Sequence, residues 1–141
     1  ARITERICRR LRMSNNDTRR ILWLVENHMR LKDFMNMRKH RRIRFAREEG
    51  FDELIMLCRM DARASHGDTS FIEEIETYIA SLEEESLRPA PLLTGKDLIE
   101  MGYTPGPQFK HILQEVETLQ LEGQLTDNDA ARQYVRESLA P

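Results

Sequence analysis

The sequence predicts an all-α chain, with a helical body of about five helices followed by a three-helix tail. Three observations carry that expectation. Five prolines and six glycines occur among 141 residues, and Leu, Arg and Glu dominate, residues that favour helix over strand. Apolar residues recur at intervals of three and four, the period of a helix with one buried face. A stiff spacer, Arg88-Pro89-Ala90-Pro91, divides the chain at about residue 90 into a body (1–88) and a tail (92–141).

The first helix is expected over Thr4–Met13, with Ile3, Ile7, Cys8 and Leu11 on one side and Arg6, Arg9, Arg10 and Arg12 covering the rest. Its apolar stripe is already running where the sequence opens, and residue 1 is Ala rather than Met, so a processed or excised piece is expected. Ser14-Asn15-Asn16-Asp17 starts a second helix, from about Asn15 to Phe34. Ile21, Leu22, Leu24, Val25, Met29 and Leu31 mark it as a core element, and His28 shares their face. A third helix, Asn36–Glu49, offers Met37, Ile43 and Phe45 to the interior, and Gly50 is expected to end it. Asp52 is expected to cap a fourth, running through Leu54, Ile55, Leu57, Cys58 and Met60 to Ala64. Ser65-His66-Gly67-Asp68 breaks that helix. The fifth spans residues 71–88, apolar along Phe71, Ile72, Ile75, Tyr78, Ile79 and Leu82, and acidic along Glu73, Glu74, Glu76 and Glu83–Glu85.

Signals in the tail are denser. Thr94 with Asp97 reads as a capping-box-like pair, Leu98, Ile99 and Met101 give an apolar face, and Gly102 supplies the stop. Pro105-Gly106-Pro107 forms a rigid turn whose last proline can open a helix. That helix carries Phe109, Ile112, Leu113, Val116 and Leu119 and ends at Gly123. Thr126 with Asp129 is expected to cap the last helix, which carries Ala130, Ala131, Tyr134 and Val135.

Composition excludes several function classes. No apolar run approaches the length of a membrane span. Cys8 and Cys58 lie far apart with no CxxC or nearby His pattern, which reads as two buried free thiols rather than a zinc site. The net charge of −2 hides an asymmetry: residues 1–50 hold 15 Lys or Arg against 6 Asp or Glu, and the remaining 91 hold 7 against 18. Such a division suggests that one end meets a polyanion.

The tail pattern of Leu93–Asp97 (the run LTGKD), Gly102, Pro105-Gly106-Pro107 and Gln120–Thr126 resembles the C-terminal, body-and-tail region of bacterial CCA-adding tRNA nucleotidyltransferases and related poly(A) polymerases. Body segments Arg10–Asp17, Leu24–Met29 and Leu57–Asp68 are similar to the same family, with Met60-Asp61-Ala62 where Ala-Asp-Ala is usual. The resemblance implies a parent that transfers CMP and AMP from CTP and ATP onto a tRNA or other RNA 3′ end with Mg²⁺, in the cytoplasm. It also implies a catalytic head with a Gly-Gly or Gly-Ser loop and paired aspartates, and neither dipeptide occurs here. The one candidate pair, Asp127 and Asp129, lies at a helix start and reads as capping. The expectation is therefore a piece that is non-catalytic alone and holds no cofactor, since two-metal transfer needs clustered carboxylates.

RNA contact is the positive expectation. Arg38, Lys39, Arg41, Arg42, Arg44 and Arg47 form a basic band, with Arg9, Arg10 and Arg12 alongside, and Lys96 and Lys110 flank the two tail turns. A planar guanidinium fits phosphate, and each neutralised phosphate releases counterions. The rival reading of the band is a solvated face salt-bridged to the acidic helix at 71–88. Two further classes stay open. One is an HD-type phosphohydrolase remnant, in which His28 and Asp61 are the weak metal candidates. The bland reading of Asp61 pairs it with Arg59 or Arg63. The other is a helical module that docks a protein partner or forms a homo-oligomer. Ser65 and His66 are adjacent, but nothing in the sequence orients the histidine as a triad requires.

Overall fold

The computed structural model describes residues 2–65, 67–82 and 84–139. All regular structure among them is helical, as expected, in two units comprising residues 1–83 and 84–141.

In the first unit α1 spans Arg2–Arg10 and α2 spans Asn15–Leu31. Between them Arg12 adopts a left-handed backbone (φ 54°), which lets Met13 N–H reach the Cys8 carbonyl at 3.0 Å and closes the helix end. A side-chain-bearing residue there costs about 1 kcal/mol. Ser14 caps α2, its hydroxyl accepting from Asp17 N–H at 3.0 Å and donating to the Asp17 carboxylate at 2.7 Å. α2 stops at Leu31, short of the expected Phe34, and a 3₁₀ turn follows at Phe34–Asn36. The turn seats Phe34 inside, with ring centroids 5.7 Å from Phe51, 6.2 Å from Phe45 and 6.0 Å from Tyr78.

Met37 and Arg38 are extended, so α3 begins at Lys39 rather than Asn36, and it ends at Ala46. Gly50 does not terminate it: Arg47 N–H already turns back to Ile43 and Phe45, and Gly50 has no positive φ. Its role is close approach. A Cβ at Gly50 would stand 2.7 and 2.8 Å from Cζ3 and Cε3 of Trp23.

α4 spans Phe51–Ser65. Asp52 therefore lies inside the first turn rather than at the cap, where its charge complements the helix N-terminus. Gly67 (φ 76°) closes the far end by donating to the Ala62 carbonyl at 2.8 Å. α5 covers Ser70–Ala80 and not the expected 71–88. Ser81 is its C-cap, its N–H still bonding the Thr77 carbonyl while its hydroxyl donates to the Tyr78 carbonyl at 2.6 Å. His66 and Glu83 lie outside the described residues.

The core of this unit joins Leu31, Phe34, Phe45, Phe51, Leu54, Ile55, Cys58, Ile72 and Ile75. α2 packs along α4, and α1 packs on α2. Along the apolar stripe of α1 Cys8 is buried, while Ile3, Ile7 and Leu11 are 68%, 42% and 64% exposed. Both cysteines are free and buried.

The second unit holds α6 (Glu84–Leu87), α7 (Gly95–Glu100), α8 (Pro107–Leu121) and α9 (Asn128–Ser138). Thr94 and Asp97 form a reciprocal capping box on α7. Gly102 (φ 92°) and Gly123 (φ 77°) end α7 and α8, and Pro107 opens α8. The cap of α9 is Asp127, which accepts from Ala130 N–H at 2.8 Å. Thr126 does not serve, because the chain enters the helix one residue later than the expected pair requires. Leu93, Leu98, Tyr103, Ile112, Val116, Leu125, Ala131 and Val135 make the core. Tyr103 Oη shares its proton between the Leu139 and Val135 carbonyls, at 3.0 and 3.2 Å.

Candidate nucleic-acid interface

Six of the expected phosphate-binding residues lie on or beside α3, and the fold sorts them. Burial of Ile43 and Phe45, each 1% exposed, fixes which side of this short helix faces the core. Arg38, Lys39 and Arg41 are exposed, at the first turn. Arg42 and Arg44 are half-buried on the helix itself, and Arg47 is half-buried at its C-cap. The Arg42 guanidinium lies 4.4 Å from the centre of the Tyr78 ring, a cation–π contact that ties α3 to α5. A similar contact sets Arg30 4.2 Å from the Phe45 ring. The structure therefore presents three cations to solvent at the start of α3 and engages others in packing.

Acidic residues of α4 and α5 pair with arginines outside the α3 band. Arg59 of α4 pairs with Glu76 of α5, and Arg20 of α2 pairs with Glu53 of α4. Each guanidinium is held in its charged form chiefly by its hydrogen bond to that carboxylate. Arg59 is thus committed to Glu76, not to Asp61.

Arg9 and Arg10 are exposed on α1, and Arg9 pairs with Glu5 at 3.2 Å. Arg12 is exposed at the left-handed turn after it. Lys96 and Lys110 are exposed on α7 and α8, in the second unit. The surroundings differ in charge: the first unit holds 17 Lys or Arg against 14 Asp or Glu, the second 5 against 10. A polyanion approaching the second unit meets net repulsion, so its two lysines stand in the less favourable surroundings for a phosphate.

His28 and Asp61 do come together. Both line a cavity of about 200 Å³ with Val25, Lys32, Leu57, Cys58, Ala62 and Phe71. His28 Nδ1 lies 2.6 Å from the Val25 carbonyl, which can only accept, so Nδ1 carries a proton and Nε2 is left as the free nitrogen. Burial, with the Asp61 charge second, pushes the Cys58 thiol up and keeps it protonated. Among the described residues no group of three His, Cys, Asp or Glu is placed to hold a metal.

The second unit has a built polar cluster of its own. Arg132 on α9 reaches Asp97 at 2.6 Å and Glu100 at 3.2 Å. Hydrogen bonds from Thr94, seconded by Arg132, hold the Asp97 carboxyl down at about 2. This cluster ties α9 to α7 and commits Arg132 to carboxylates.

A further cleft, lined from α2 by Arg19, Arg20 and Trp23, was not legible as a site in the sequence. The available signal was an Arg-Arg doublet three residues before the single tryptophan.

Comparison with known proteins finds relatives along this whole region. The chain is 29% identical over 144 residues to an A-adding tRNA nucleotidyltransferase of Deinococcus radiodurans, a match that covers 96% of this chain and 33% of that protein. It is 32% identical over 77 residues to a CC-adding tRNA nucleotidyltransferase of Synechocystis, covering 54% of this chain and 18% of that protein. An A-adding tRNA nucleotidyltransferase of Halalkalibacterium halodurans is 37% identical over 65 residues, 46% of this chain and 15% of that protein. The chain thus spans about a third or less of the length of the relatives it matches. No family model and no solved structure matches it. Among the described residues no helix is long and apolar enough to cross a membrane.

Proposed function

We propose that this chain, a relative of the bacterial A-adding and CC-adding tRNA nucleotidyltransferases, is their RNA-gripping C-terminal part: it holds a tRNA or similar RNA by its phosphates while nucleotide transfer takes place elsewhere. The observation that carries the reading is the exposed Arg38, Lys39 and Arg41 group at the start of α3, on the cationic unit. Contacts of this kind read charge and A-form shape rather than sequence, which suits a protein that must handle many RNAs with one common end. Whatever the parent adds, CCA or poly(A), the Mg²⁺, CTP and ATP belong to a catalytic portion with clustered carboxylates. The piece described here acts by binding and positioning.

The test is binding of an end-labelled RNA hairpin, mimicking a tRNA acceptor arm, across a salt series. Replacing Arg38, Lys39 and Arg41 together with Ala removes three phosphate ligands. The slope of log K against log salt is then expected to flatten by about two units. Replacing Lys96 and Lys110 is expected to change it by less. An unchanged slope in the triple variant removes α3 from the interface.

A second reading has one observation in its favour. The exposed Ile3, Ile7 and Leu11 stripe on α1 suits docking of another protein surface or a second copy. Sedimentation over a concentration series decides it, because self-association abolished by Ile7→Glu supports this reading and a monomer at all concentrations contradicts the second-copy form.

A further inference from the structure

A cleft of about 450 Å³ lies in the first unit between the early turns of α2 and the segment that joins α3 to α4. Asn16, Arg19, Arg20 and Trp23 line it from α2, and Glu48, Glu49 and Gly50 line it from the joining segment. Asn16, Arg19 and Trp23 share one helical face, three and four residues apart. The indole is held in place by the Gly50 backbone and by the Phe45 ring, 6.3 Å away at 55°. It remains partly exposed.

The two arginines are in different states. Arg20 is committed to Glu53. Arg19 is exposed, and its contact is with a neutral helix carbonyl, that of Asn15 at 3.4 Å. The cleft thus brings together an aromatic plane, an available guanidinium and two carboxylates in a volume of small-molecule size. A bare phosphate is repelled by Glu48 and Glu49. An apolar ligand leaves every charge in the cleft unused. A nucleotide suits all three, because its base stacks on indole and its phosphate meets the guanidinium fork. Its ribose hydroxyls or exocyclic amine then donate to carboxylates, which can only accept.

We infer that this cleft takes one unstacked nucleotide of a bound RNA, with Trp23 as the stacking platform and Arg19 on the phosphate. The inference rests on the RNA-binding reading but uses none of the α3 cations, so the two are separable. Trp23 is the single tryptophan of the chain, and its emission reports the cleft directly.

The experiment titrates AMP, a short single-stranded oligoribonucleotide and a blunt RNA duplex of equal length, following indole emission excited at its red edge. Binding of labelled RNA is followed separately by anisotropy. AMP and the single strand are expected to quench saturably and the duplex is not. Arg19→Ala, a change at an exposed residue, is expected to weaken AMP binding about fivefold. The triple α3 variant is expected to keep AMP quenching while it loses RNA affinity. RNA binding with no quenching by AMP or single strand overturns the cleft and leaves the α3 reading standing. Quenching by AMP with no RNA binding overturns the α3 reading and keeps the cleft as a nucleotide site. Equal quenching by the duplex, or none lost in Arg19→Ala, overturns the inference.

Discussion

Replacing Gly50 with Ala tests whether the α3–α4 joining segment is fixed by contact with Trp23. The added methyl would begin 2.7 and 2.8 Å from two carbons of the indole, well inside van der Waals contact. Gly50 has no positive φ, so the substitution carries no backbone penalty of the left-handed kind, and the whole cost must come from overpacking. Overpacking typically costs about 1–3 kcal/mol. The ring is only partly buried and can give way outward, so about 1 kcal/mol is expected, with a melting temperature lower by roughly 4–8 °C. Trp23 emission should shift in the same variant, because the ring itself is displaced. Urea unfolding followed by circular dichroism gives the energetic half. A double-mutant cycle with Trp23→Leu isolates the contact, since Gly50→Ala should cost little once the indole is gone. An equal cost in both backgrounds would refute the contact and return Gly50 to the role of a helix terminator.

Other predictions follow from the same packing. Phe34, fully buried and ringed by Phe45, Phe51 and Tyr78, is expected to cost about 3–5 kcal/mol when replaced by Ala, read as a lower urea midpoint for the first unit. Thr94→Ala removes the α7 cap and should cost about 1 kcal/mol, detectable as faster amide exchange in Gly95–Glu100. Asp97 sets a pH dependence: its carboxyl is held at about 2 in the folded protein against 3.8 ordinarily. A depressed folded value gives stability that is fully present above the ordinary value and lost as pH falls from about 4 through 2. Acid unfolding of the second unit should therefore begin at higher pH in Thr94→Ala than in the parent chain, and coincident acid transitions would contradict the assignment.

The tail was readable because its signals are local. Thr94, Gly102, Pro107 and Gly123 each act within four residues of themselves, and each does in the structure what its position implies. The body was less readable where the deciding contact is distant. Gly50 looked like a terminator because nothing nearby in sequence announces Trp23, 27 positions earlier. α5 ends at Ala80 inside a run of good helix formers, with no glycine or proline to mark the stop. The α3 band was visible as composition, but which of its cations face water followed from the burial of Ile43 and Phe45 and from the Arg42–Tyr78 contact. The convergence of His28 and Asp61 on one cavity joins two helices whose register no sequence pattern fixes. The stripe of α1 was visible as a period of three and four, and in the structure it stands largely in solvent with Cys8 as its buried member.

The four lysines, Lys32, Lys39, Lys96 and Lys110, allow the RNA grip to be mapped in one measurement. Lysine acylation with and without a saturating RNA hairpin, read residue by residue by mass spectrometry, compares the α3 cations with the tail. If α3 carries the phosphates, Lys39 is protected by RNA several-fold more than Lys96 or Lys110. Equal labelling of Lys39 in the free and bound protein would contradict it.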